Sequence, residues 1–185
     1  MTKFVTSDFH FSHKNICRGT SSWTDKSGTR PFNSLEEMNG TILENLNSTI
    51  GENDELFFLG DFIFGDVTLT REFRDKIRCK NICFINGNHD KHIRQYSDCF
   101  LWIRDYFSLN YKGKNVVMFH YPIASWDKQH HGAVHAFGHC HGSFTGPNGR
   151  SHDCGIDTNM FKPYAIDDFI EICNAKETMS VDHHK

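Results

Sequence analysis

Short apolar runs, most of them closing on a cluster of polar residues, constrain this chain more than any other feature. Residues 3–6, 55–59, 81–85, 116–119 and 134–137 are such runs, with a weaker stretch at 152–156. Runs of that length rich in Val, Ile and Phe read as buried strands. Helical spacing appears between them. Ser34-Leu35-Glu36-Glu37 has the capping-box pattern, and Leu35, Met38, Ile42, Leu46 and Ile50 follow it at intervals of three or four. Further helices are expected over residues 68–78, with Leu69, Phe73 and Ile77, and over 165–175, with Ile166, Phe169, Ile170 and Cys173. Alternation of strand and helix makes this an α/β fold. At 185 residues one compact domain can bury roughly two-thirds of its unfolded surface. A single domain over residues 1–175 is expected, followed by a polar, flexible tail over 176–185 whose His183 and His184 are read as bystanders.

Charge and composition exclude several classes. The net charge is -3 and no block of like charges occurs, so duplex nucleic acid is not an expected partner. No apolar run approaches a membrane span and no charged-then-apolar leader opens the sequence. Seven cysteines without a dense framework fit a compartment where thiols stay reduced. A cytoplasmic setting without membrane contact is expected. Histidine is abundant at thirteen residues, against twenty Lys plus Arg. Imidazole is the commonest metal ligand, which raises the expectation of a metal or acid-base site.

The strand ends carry the chemistry. Asp8-Phe-His10 follows the first run, and alternation would point both side chains the same way. Asp61 follows Gly60 after the second, and Gly87-Asn88-His89-Asp90 follows the third. His120 closes the fourth, and Gly138-His139-Cys-His141-Gly142 follows the fifth. Each residue alone has a bland explanation: a surface pair, a turn Asn, a hydrogen-bonded core His. A ligand-type residue at five successive strand ends is hard to reach by independent accidents. Oxygen donors mixed with imidazoles suit Mn, Fe, Zn or Ni better than Ca or Mg. The donors exceed what one tetrahedral ion needs. Cys140 should point away from the ions and pack, and Cys79 and Cys83 form no zinc set. Three irregular stretches, residues 17–33, 122–135 and 142–151, follow these motifs and are expected to shape a substrate pocket.

This series of motifs, in this order over residues 8–141, resembles the calcineurin-like metallophosphoesterase superfamily. The closest likeness is to compact bacterial and phage members with a His-Lys-Asn segment, here His13-Lys14-Asn15, and an Arg-Pro-Phe segment, here Arg30-Pro31-Phe32. The resemblance implies a four-layer αββα sandwich, two mixed β-sheets flanked by helices. It implies two divalent ions, manganese first with iron, zinc or nickel as alternatives. Asp8, His10 and His141 would hold one ion, Asn88, His120 and His139 the other, and Asp61 would bridge them. Such a centre would hydrolyse a phosphodiester or phosphomonoester through a shared hydroxide. His89 would act as general acid and Asp90 would orient its imidazole. The expected partner is a small phosphorylated substrate, nucleotide-like in size. His13 and Arg30 are expected to grip its phosphate, whereas Lys14 reads as a solvated cation. Tyr121 and Trp126 would stack on a base or wall the pocket, and Asp157 would back a ligand or shape a turn. The alternative function is a non-catalytic metal-holding scaffold of the same fold; the presence of His89 argues for the enzyme.

Overall fold

A computed structural model of the chain describes residues 1–146 and 149–178, so His183 and His184 lie outside the described residues. Among the described residues nine strands form two mixed sheets, and three α-helices flank them. The first sheet has the order β4 (Trp102–Arg104), β3 (Asn81–Ile85), β2 (Glu55–Phe58), β1 (Lys3–Thr6), β9 (Tyr164–Ala165). The second has the order β5 (Tyr106–Tyr111), β6 (Lys114–Phe119), β7 (Val134–Phe137), β8 (Ser151–Asp153). Strands β1 to β4 run parallel, with Val5 opposite Phe57 and Phe57 opposite Cys83, and only β9 is antiparallel to its neighbour. In the second sheet β6, β7 and β8 are parallel and β5 is antiparallel.

The alternation of side chains divides the core in two. Phe4, Leu56, Phe58, Ile82 and Phe84 face α1 (Leu35–Thr49) and α2 (Thr70–Asp75), meeting Met38, Ile42, Leu46 and Phe73. Val5, Phe57, Leu59, Cys83 and Ile85 face the other sheet and meet Val116, Met118, Val134 and Ala136. Ile166, Phe169 and Cys173 of α3 (Ile166–Asn174) close this inter-sheet core. The outer face of the second sheet is covered by residues 122–133, where Trp126 packs on Val117 and donates through Nε1 to the Ala133 carbonyl. Through Trp126, Ile123 and Ala133 this stretch adds to the core, and Trp126, at 8% exposure, is too buried to offer a ring face to a ligand.

The capping box of α1 forms with a shift. Ser34 Oγ accepts from the Glu37 N–H at 3.1 Å, while Glu37 Oε2 accepts from Asn33 and not from the cap residue itself. No helix of the described residues is long and apolar enough to cross a membrane. The expected tail begins anchored, since half-buried Lys176 donates to the Ser151 carbonyl; residues 179–185 lie outside the described residues.

Candidate metal centre

The five expected strands do deliver their ligands to one rim, but not as successive strands. β4 and β5 intervene, so Asp8, Asp61 and Asn88 come from the first sheet and His120 and His139 from the second. The local backbone also differs from plain alternation. β1 ends at Thr6, and Asp8 and His10 both adopt left-handed conformations, with φ of 60° and 50°. Asp61, His139 and His141 do the same, at 60°, 68° and 48°. Non-glycine residues in this region cost roughly 1–2 kcal/mol each and persist where surrounding structure fixes them.

Glycines allow the strand ends to approach. A Cβ at Gly138 would lie 2.3 Å from Ser7 Oγ and 2.4 Å from Asp8 Oδ2, and one at Gly87 would lie 2.3 Å from Asp61 Oδ1. Larger residues there would displace the carboxylates themselves.

Two groups of donors result. In the first, Asp8, His10 and His141 gather their ligand atoms within 4.8 Å, with His10 Nε2 and His141 Nε2 3.2 Å apart. In the second, Asp61, His120 and His139 do the same, and Asn88 Oδ1 lies 2.9 Å from His120 Nε2 and 2.9 Å from His139 Nδ1. Asp61 Oδ2 stands between the groups, 3.5 Å from His10 Nε2 and 3.6 Å from His120 Nε2.

The protonation pattern tests whether cations fit here. His120 donates from Nδ1 to the Leu59 carbonyl at 2.7 Å, so its Nε2 carries a lone pair. That lone pair faces Asn88 Oδ1, another acceptor. His141 donates from Nδ1 to Asp157 Oδ2 at 2.7 Å and turns Nε2 inward, 3.9 Å from Asp8 Oδ1; although burial opposes it, the Asp157 bond and the Asp8 charge raise its affinity for a positive charge. An imidazole lone pair set against an amide oxygen is a place that a cation suits. Without one, burial pushes the Asp8 carboxyl up to about 7 and drives His10 well below its ordinary value. The mixed carboxylate, amide and imidazole set fits divalent ions of the transition series.

A family model described as calcineurin-like phosphoesterase matches residues 1–180. The chain belongs to this family. The uncharacterized protein MJ1445 of Methanocaldococcus jannaschii is 28% identical over 177 residues, covering 91% of this chain and 89% of that protein. The solved protein of unknown function AQ665 from Aquifex aeolicus is 21% identical and superposes with a TM-score of 0.70 over 92% of this chain and 98% of its own. A solved archaeal phosphodiesterase aligns over 84% of each chain at 15% identity, with a TM-score of 0.49. The protein is thus a metal-dependent phosphoesterase whose two sheets and flanking helices carry two donor groups suited to divalent ions.

Around the ligands of this phosphoesterase, two expected roles change. Arg30 is 3% exposed and cannot grip substrate. Its Nε and Nη2 pair with both oxygens of Asp157 at 2.7 Å, and Nη1 and Nη2 donate to the carbonyls of Phe9 and Asp8. The guanidinium is a strut behind the first donor group, and Asp157 links it to His141. Burial opposes charge on Asp157, but the bonds from His141 and Arg30 hold its carboxyl well below the usual range. Asp90 does not orient the His89 ring. Its oxygens accept from the N–H groups of Asp61, Phe62 and Gly87 at 2.6, 3.1 and 2.8 Å, fixing the backbone that carries Asp61.

The neighbour of His89 is instead Phe64, whose ring meets it edge-on at 4.9 Å. Phe64 lies in no motif, and an apolar loop residue gave no signal. His13 also lines the cleft, stacked on Phe64 with centroids 3.8 Å apart. Its Nδ1 accepts from the N–H groups of Asn15 and Ile16, which leaves the ring proton on Nε2. Cys140 is partly exposed and lines the same cleft, contrary to the expectation that it packs away. Tyr121 packs its ring against His120 and His139, 4.9 and 4.7 Å away.

Proposed function

We propose that this phosphoesterase holds two divalent ions, manganese foremost, and hydrolyses a small phosphodiester of nucleotide size. Asp8, His10 and His141 hold one ion, Asn88, His120 and His139 the other, and Asp61 serves both. The observation that carries the reading is the place of Asp61 Oδ2 between the two donor groups, with His89 Nε2 3.9 Å from the same oxygen. When bound, such ions lower the pKa of water and draw charge from phosphoryl oxygens.

The protein supplies position and a proton. His89 donates its backbone N–H to Asp61 Oδ1 at 3.0 Å, so the ring is carried by the segment that fixes the shared carboxylate. Its side chain is 38% exposed, packs against Phe64 and faces the cleft, where it can protonate the departing ester oxygen. His13, neutral with its proton on Nε2, offers a further donor at the rim. Among the described residues that line this cleft there is no Lys or Arg. Within this cleft substrate charge falls to the ions and imidazoles, with Lys91 in the adjoining hollow beside Asn88 and His89; that sparse positive charge favours the single charge of a diester over the double charge of a monoester. All seven cysteines are unpaired, which supports a reducing, cytoplasmic setting.

The test is turnover of an aryl phosphodiester with added Mn. His89→Ala is expected to lower kcat by about a hundredfold to ten-thousandfold while metal content stays constant. Unchanged kcat would remove His89 from the reaction. With the matching aryl monoester, kcat/KM is expected to be lower than with the diester; the reverse order would refute the charge argument.

A further inference from the structure

The cleft extends well beyond the ligands. Its volume is about 660 Å³, and away from the donor atoms it is lined by Ile16, Trp23, Gly28, His13 and Phe64. A hydrolysed phosphoryl group fills a small part of such a space, and clefts of this size hold whole small-molecule ligands. Trp23 is 44% exposed, one of few large apolar side chains left open to solvent. His13 connects the two regions, with its ring 5.6 Å from that of His10 and 6.0 Å from the Trp23 indole.

This arm is built and not incidental. Phe64 stacks on His13 at an interplanar angle of 17°, which fixes one flat wall. The loop that carries Trp23 is tied at several points: Asn15 Oδ1 accepts from Ser22 N and Oγ, and Trp23 N–H donates to Ser21 Oγ. Arg30 N–H donates to the Ile16 carbonyl, and the Arg30 side chain anchors that loop to the carbonyls of Asp8 and Phe9. Arg30, expected from sequence to grip phosphate, therefore holds the far wall of the cleft in register with the donor residues.

We propose that Trp23, His13, Phe64 and Ile16 form a subsite for a planar ring on the substrate, so that the ester hydrolysed is that of a nucleoside or a similar ring-bearing alcohol. The proposal rests on the two-ion reading above and adds to it the identity of the organic group. Flat rings gain most from contact with exposed aromatic faces, and the gain is insensitive to the pattern of hydrogen-bonding groups on the ring.

Adenosine 5′-monophosphate and ribose 5-phosphate carry the same phosphate and differ by the ring alone. In the Mn-loaded protein the nucleotide is expected to inhibit diester turnover at a concentration about tenfold lower than ribose phosphate, and to quench the exposed tryptophan fluorescence. Trp23→Ala should bring the two inhibitors together and abolish the quench. Gly28→Leu offers a second route, because a Cβ there meets nothing within 4 Å and the backbone is unstrained. Its side chain enters the arm and should likewise erase the preference for the nucleotide. Equal inhibition by the two compounds in the unaltered protein, or a preference that survives both substitutions, would overturn the subsite. Inorganic phosphate, run in parallel, separates the two readings: failure of phosphate itself to bind would overturn the two-ion reading, and the subsite with it.

Discussion

Arg30 and Asp157 meet across 127 positions of sequence, and what they do could not be read from either residue alone. Both are charged, both are largely buried, and each satisfies the other while serving a ligand segment. Removing one partner of a buried ion pair leaves the other charge stranded and destabilises by about 3–5 kcal/mol. Arg30→Ala is therefore expected to lower the melting temperature and weaken metal binding, and Arg30→Lys to recover little, since an ammonium cannot form the paired bonds. A change confined to KM with unaltered stability would return Arg30 to the phosphate. His135 makes a second prediction at this scale. Burial pushes its imidazole down to about 4, although Val117 and Tyr121 carbonyls lie beside its two nitrogens and favour the proton. An unfolded histidine titrates near 6.5, so below that pH the unfolded chain takes up a proton that the folded one refuses. Stability is full above the unfolded pKa and falls as the pH drops toward the folded value, by about 2 kcal/mol between about pH 7 and about pH 5. Urea denaturation at those two pH values should show a smaller loss in His135→Gln; equal losses would mean that the folded ring titrates normally.

Elements differ in how much of themselves they show in sequence. α1 was legible from its cap through its buried stripe because its period, its cap and its buried residues agree, with Ile50 serving as the extended residue that closes it. The ligand-bearing strands were legible because all are buried on both faces and read as continuous apolar runs. β5 was not, since it lies at a sheet edge with exposure alternating between partly open and open, and its hairpin turns through Lys112 and Gly113 without the usual Asn-Gly signal. β4 and β9, at three and two residues, are defined by their partners alone. The candidate donors stood out in sequence because their chemistry is unusual at strand ends. Their backbone was not, because left-handed Asp and His arise from tertiary contacts such as the Asp90 bonds beneath Asp61. Two glycines separate these effects. Gly138→Ala places a methyl group against Ser7 and Asp8 and is expected to abolish metal retention. Gly40→Ala, mid-helix in α1 with open space around the new methyl, is expected to raise stability by about 0.5–1 kcal/mol with turnover unchanged. Metal analysis and denaturation of both variants check the pair, and retained metal in Gly138→Ala would show that the strand ends can part.

For the molecule as a whole, the decisive fact is that each sheet brings ligands the other lacks. Asp8, Asp61 and Asn88 leave the first sheet, while His120, His139 and His141 leave the second. Below this rim the sheets are joined by the apolar core of Val5, Phe57, Met118 and Ala136, which is non-directional and tolerates small sliding. At the rim, buried Asp8 and Asp61 face imidazoles from both sheets, and burial makes the Asp8 charge costly until cations compensate it. Ions should thus act as a clasp across the sandwich, and anything that binds only the folded state raises its stability by mass action. Saturating Mn is expected to raise the melting temperature by about 5–10 °C over chelated protein. If the clasp spans both sheets, chelation should speed amide exchange at residues 8–12 and 59–62 and equally at 120–121 and 138–142. Exchange that quickens on one side only would place the ions within a single sheet's ligands, and Asp61 would then have no second ion to share.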